Sequence, residues 1–190
     1  MGLGIVLAFL VSTGMIFEFG KSDAPVDGLV PTPTLSLAEQ NVLLSKLVVE
    51  YDDVRKISFY YDKTSNRNYD TNDVMLYISQ RDGGAPQFHL KIHYTSDDWL
   101  FIKRYYFVTD GKTSQLVPGK VERDNGSGAI WEWSDAGVDS NVLEIINDII
   151  SSKEAKIRYD GTQYYDDRVI TNREKTALKN VLIALPALAN

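Results

Sequence analysis

The chain has 190 residues, of which 20 are basic and 26 acidic, giving a net charge of −6, and it has no cysteine. Its basic residues are scattered in ones and twos, such as Arg55-Lys56 and Lys103-Arg104, so no patch exists to meet a phosphate backbone, and nucleic acid is excluded as an expected partner. The absence of cysteine removes disulfides and thiolate metal ligands, so packing alone must stabilise the fold.

The N-terminal run GLGIVLAFLVSTGMIF is apolar over Leu3 to Phe17. It is short of the ~20 residues that span a hydrocarbon core of ~30 Å comfortably. Only Met1 and Gly2 precede it, so the charged start of a secretory signal is missing; no Ala-x-Ala site follows it. Residues 1–19 are therefore a hydrophobic anchor or signal segment, with a retained anchor the favoured expectation. Met-Gly does not begin a myristoylation signal, because Val6 stands where Ser or Thr is required. Residues 20–35 (GKSDAPVDGLVPTPTL) form a Pro-rich linker, and residues 36–190, about 155 in number, are the size of one domain.

Ser36 with Glu39 three residues on is a capping-box pattern ahead of Val42, Leu43, Leu47 and Val48, which predicts a first helix. Val54 to Tyr61 is rich in β-branched and aromatic residues and predicts a first strand. Four turn dipeptides punctuate the chain after it: Asp82-Gly83, Asp110-Gly111, Asn125-Gly126 and Asp160-Gly161. Such pairs tolerate the positive φ angles of tight hairpins, so Val74–Gln80 and Gln87–Tyr94, Trp99–Val108 and Thr113–Val117, Ala129–Trp133, Ala155–Tyr159 and Gln163–Tyr165 read as an antiparallel meander. Asp139 or Ser140 caps a second helix through Val142, Leu143, Ile145, Ile146 and Ile149; a third starts at Thr171, with Glu174 three residues on, and stops at Pro186. The predicted fold class is α+β: an antiparallel β-sheet meander of six to eight strands with two or three packed helices, preceded by the N-terminal hydrophobic segment.

The candidate chemistry is sparse. The two histidines, His89 and His93, alternate onto the polar face of FHLKIHY, about 13 Å apart along the strand, which is too far for one metal ion, so they read as a solvated face. Neither a metal nor a cofactor is expected, and no catalytic residue stands out. Carboxylate pairs occur at Asp52-Asp53, Asp97-Asp98 and Asp166-Asp167, but neighbours on a strand point to opposite faces, whereas glycoside hydrolysis needs two carboxyl groups in one cleft. Trp131 and Trp133 share one face of a strand with Glu132 opposite, and Tyr164-Tyr165 put one ring on either side of theirs. Aromatics of this kind either fill a core or stack on sugar rings and partner proteins. Trp131, Trp133, Glu132, Tyr164 and Tyr165 are the candidate ligand-binding residues.

Three blocks, DDWLFIKRYYF (Asp97 to Phe107), VERDNGSGAIWEWSD (Val121 to Asp135) and the stretch from Ile157 to Leu185, resemble an uncharacterised family of bacterial envelope domains, lipoprotein-like or membrane-anchored. The resemblance covers roughly Tyr51 to Leu185 and implies an address: the cell membrane, with the domain extracytoplasmic. It carries no activity and no ligand. The lipobox cysteine of lipoprotein members is missing here, which favours a helical anchor. The expected function is a non-enzymatic binding or assembly module, tethered to the membrane through the N-terminal segment or exported, with an envelope protein or cell-wall glycan as partner. The alternatives are a glycan-binding module and a cell-envelope hydrolase using Glu132, Asp135 or Asp97.

Overall fold

Ser36 caps helix α1 (Leu37–Leu44) through the full capping box: its Oγ accepts the Glu39 N–H, and the Glu39 carboxylate accepts the Ser36 N–H in return. The computed structural model describes residues 36–68 and 70–188; the hydrophobic segment and the Pro-rich linker lie outside them. The chain from Leu35 onward groups as one unit. Among the described residues the fold is α+β, with ten strands in two antiparallel sheets and three helices.

The first sheet has the order β1-β2-β3-β4-β8-β7, formed by β1 (Leu47–Asp52), β2 (Ile57–Asp62), β3 (Asp73–Arg81), β4 (Gln87–Ser96), β7 (Glu122–Gly126) and β8 (Ala129–Gly137). The second has the order β10-β9-β5-β6, from β5 (Arg104–Thr109), β6 (Lys112–Leu116), β9 (Ala155–Asp160) and β10 (Tyr165–Val169). The sequence patterns point to a single sheet, and the division into two follows from the segment after Ser96. There the chain leaves the first sheet, and β8 takes the place beside β4.

Alternation gives the first sheet two different faces. Val74, Leu76 and Ile78 of β3 and Leu90, Ile92 and Tyr94 of β4 point inward and are buried. Helix α3 (Asn172–Leu188) covers the β2–β3 half of this inner face with Leu178, Val181 and Ala184. The second sheet covers the β4–β8 half: the Tyr94 and Tyr159 rings lie 4.9 Å apart, and Tyr105 Oη donates to Ser134 Oγ at 3.0 Å. Helix α2 (Ser140–Ser151), capped by the Asp139 carboxylate on the Val142 N–H, buries Val142, Ile145, Ile146 and Ile149 against α3 and β5.

Several local expectations shift: Val54 to Lys56 lie in the turn before β2, and Gln163 and Tyr164 in the turn before β10. Leu47 and Val48 continue the apolar spacing of α1, yet they open β1; the helix ends at Ser45, whose Oγ donates to the Val42 carbonyl. Trp99 to Lys103 is an irregular segment ahead of β5. The β7–β8 turn falls at Ser127-Gly128, whose φ angles are 52° and 82°. Asn125-Gly126 stays in β7, where a Cβ on Gly126 would come within 3.3 Å of the Trp131 ring. Pro186 sits inside the last turn of α3, which runs two residues past it.

Candidate functional site

The outer face of the first sheet, turned away from the helices and the second sheet, is built by the other half of each strand's alternation. Phe59 and Tyr61 of β2, Met75, Tyr77 and Ser79 of β3, His89, Lys91 and His93 of β4, and Trp131, Trp133 and Asp135 of β8 stand there. Neighbouring strands bring the rings together. Tyr61 and Tyr77 are 5.3 Å apart, Tyr77 and His89 stack at 4.9 Å, and His93 stacks on Trp133 at 6.2 Å. The segment between β2 and β3 curls over one end of this face. It is held by the Thr71 carbonyl, 3.1 Å from His93 Nδ1, and by Asn72, whose side chain exchanges two hydrogen bonds with the Thr95 backbone.

Between that segment and the sheet lies a cavity of ≈ 280 Å³. Its floor is Met75, Tyr61, Tyr77 and His93; its rim is polar, with Asn66, Asn68, Asp73 and two sets of opposite charges. Arg67 pairs with Glu50 and places its guanidinium 4.9 Å from the Tyr61 ring centroid. Lys91 and Asp135 face each other across β4 and β8, and the Asp135 carboxylate accepts Tyr77 Oη at 2.9 and 3.0 Å.

Burial shifts the two histidines and Tyr77 of this face towards their neutral forms. Burial pushes His93 down to about 4, against the opposing pull of its bond to Thr71. Burial also lowers His89. The Tyr77 hydroxyl is pushed well above the usual phenol range, first by burial and then by the Asp135 charge. The pocket therefore presents rings whose charged forms burial disfavours, framed by acidic and basic side chains.

The candidate ligand residues are not brought together. Trp131 and Trp133 are half-buried on the outer face, whereas Glu132 points to the inner face and has no solvent exposure. Its carboxylate accepts the backbone N–H groups of Leu100, Phe101 and Ile102 at 2.9, 2.8 and 2.9 Å and pairs with Arg123 Nε at 2.8 Å. A carboxylate so occupied is a structural anchor. Tyr164 and Tyr165 are exposed, but they belong to the β9–β10 turn and β10 of the second sheet, where Arg158 stacks 3.8 Å from the Tyr165 centroid. Asp97, on the segment after β4, and Asp135, on the outer face, do not form a pair with Glu132 around one cleft.

The histidines share one face as the alternation requires, but that face is not solvated: His93 is buried under the β2–β3 segment, and His89 is half-buried against Tyr77. A Ser–His contact that the sequence does not signal occurs at Ser79 Oγ, 2.8 Å from His89 Nε2. It lies at the end of the β3–β4 register, where Ser79 pairs with Gln87, and beside the His89–Gly137 end of the β4–β8 register. Among the described residues no group of three or more His, Asp or Glu side chains is placed to hold a metal ion, and no helix is long and apolar enough to cross a membrane. No family model, curated protein or solved structure matches this chain.

Proposed function

We propose that this chain is a bacterial envelope protein, tethered to the membrane or exported through its N-terminal segment, whose folded part is a non-enzymatic binding module. Its ligand site is the outer-face cavity, and its ligand is a polar wall fragment such as a short glycan bearing a peptide. The address rests on the order apolar segment, Pro-rich linker, folded domain, and on the resemblance of the three sequence blocks. The ligand class rests on one observation, the cavity itself: a floor of phenol and imidazole rings with a rim of Glu50, Arg67, Lys91 and Asp135.

Rings provide apolar edges and hydroxyl donors, while charges of both signs suit a ligand carrying hydroxyl, carboxylate and amine groups. A hydrolase finds less support, because the carboxylates are dispersed. Titration calorimetry of the full chain in detergent with a soluble disaccharide-peptide tests the proposal. Saturable binding that weakens at least tenfold in Asp135→Asn and in Arg67→Ala is expected. Binding that survives both changes removes the cavity as the site, and release of a cleaved product returns the hydrolase.

A further inference from the structure

The segment from Asp97 to Lys103 between β4 and β5 is fastened from two sides. Beneath it, the buried Glu132 carboxylate collects the three successive N–H groups of Leu100, Phe101 and Ile102. From the β9–β10 turn, the Thr162 N–H donates to the Leu100 carbonyl at 2.9 Å, and a Cβ on Gly161 would stand 2.1 Å from that same oxygen. The three sequence blocks therefore meet at this junction: one supplies the segment, the second Glu132 and Arg123, the third Gly161 and Thr162.

Aiming three consecutive N–H groups at one anion forms a backbone nest, and it puts Phe101 in the left-handed region at φ 53°. For a bulky side chain that conformation costs roughly 1–2 kcal/mol, which a glycine would avoid. The nest explains the backbone but not the phenyl ring. Leu100 and Ile102 point inward and are buried; Phe101 points outward and is 50% exposed. Its ring stacks with Trp99 at 6.0 Å and an interplanar angle of 26°, and the Arg123 guanidinium lies 5.4 Å from its centroid. The exposed Phe101 ring is thus held beside the half-buried Trp99 on an anchored backbone, in a conformation that glycine adopts without strain.

We propose that Trp99 and Phe101 are a sugar-binding platform for a neutral polysaccharide strand. The C–H face of a pyranose packs on aromatic rings, and the exposed carboxylates of Asp97 and Asp98 on the same segment accept its hydroxyls. Those two aspartates, beside a net charge of −6, oppose a polyanion, and they oppose insertion of Trp99 into a lipid surface. The anchoring matters because a segment ordered before binding loses little entropy when a weak ligand docks. This platform and the outer-face cavity share no residue, so each stands without the other.

The test uses the full chain in detergent and a soluble hexamer of β-1,4-linked N-acetylglucosamine. Wild type is expected to bind it saturably with a change in tryptophan fluorescence. Phe101→Gly and Trp99→Ala are expected to weaken binding tenfold or more, while Phe101→Gly keeps or raises the unfolding midpoint. Glu144→Gln, at an exposed position of α2 outside both the cavity lining and the Asp97–Lys103 segment, is expected to bind the hexamer as wild type does. The proposal is overturned if folded wild type does not bind, if Phe101→Gly binds unchanged, or if Phe101→Gly destabilises the fold as a core truncation would. Loss of binding in Asp135→Asn with retention in Trp99→Ala would move the glycan to the cavity and equally overturn it.

Discussion

At the scale of single residues, Glu132 is the most consequential side chain of the fold, because one buried carboxylate serves three backbone donors and one arginine. Removing it orphans the N–H groups and leaves Arg123 without its partner. Glu132→Ala should cost about 3–5 kcal/mol, the range for breaking a buried pair, and Glu132→Gln less, since an amide oxygen keeps part of the acceptor set. Urea midpoints measure both, and a Glu132→Ala loss under about 1 kcal/mol contradicts the anchoring role. Gly161 tests the same junction from the other side. Its missing Cβ would stand 2.1 Å from the Leu100 oxygen and 2.9 Å from the Tyr164 oxygen, both backbone atoms that cannot swing aside. Gly161→Ala should destabilise by about 2 kcal/mol, and an unshifted thermal midpoint would show that the turn adapts.

At the scale of elements, the start of β3 and the N-terminus of α3 share a buried charge cluster. Burial works against the Glu174 carboxylate, but bonds and charge from Arg168 hold it at about 2. Burial and the neighbouring Glu174 push Asp73 up to about 6, although Arg173 pulls the other way. A carboxyl raised in the folded state adds stability at pH below about 4 that is lost as the pH rises towards 6, on the order of 3 kcal/mol for a shift of this size. His93, lowered to about 4 by burial, has the opposite sign: its contribution is complete above about 6.5 and is lost as the pH falls towards 4. The two slopes oppose each other across the same window. Asp73→Asn should therefore give a protein whose stability rises between pH 4.5 and 6.5, and His93→Gln one whose stability falls over that range. Denaturant midpoints in steps of about half a pH unit read the slopes, and parallel profiles for the two variants refute the assignment.

At the scale of the molecule, the two sheets and α3 are joined by one polar thread through the interior. Arg168 of β10 donates to Tyr159 Oη at 2.8 Å and holds both oxygens of Glu174, whose carboxylate also accepts the Val74 N–H of β3 at 3.0 Å. Tyr159 Oη in turn donates to the His93 carbonyl of β4 at 3.2 Å. Cutting the thread at Arg168 leaves a buried charge on Glu174, so Arg168→Met should cost about 3–5 kcal/mol. Because β4, β9, β10 and α3 depend on it together, far-ultraviolet ellipticity and tryptophan fluorescence should lose signal at one coincident midpoint in wild type and variant alike. Separate midpoints for the two probes would mean that the sheets unfold independently.

The amino-acid sequence by itself determined the class of the fold, because local chemistry suffices for it. The Ser36–Glu39 box, the Asp139 cap and the Asp82-Gly83 and Asp110-Gly111 turns act within a few residues of themselves. Period-two alternation likewise placed Trp131 and Trp133 on one side of β8 and Glu132 on the other. What each side faces is a long-range matter, and only the tertiary structure decided it. Nothing near Glu132 in sequence signals that Leu100 to Ile102 will bring three N–H groups to it. Nothing near His93 signals that Thr71 will cover it, or that the apparently polar side of FHLKIHY will form the floor of a cavity. The break between the two sheets is equally non-local, since β4 takes its partner from β8, more than thirty residues on. Local hydrogen bonds and side-chain periodicity are written into neighbouring residues, whereas the burial, charge and company of a side chain depend on segments that meet only when the chain has folded.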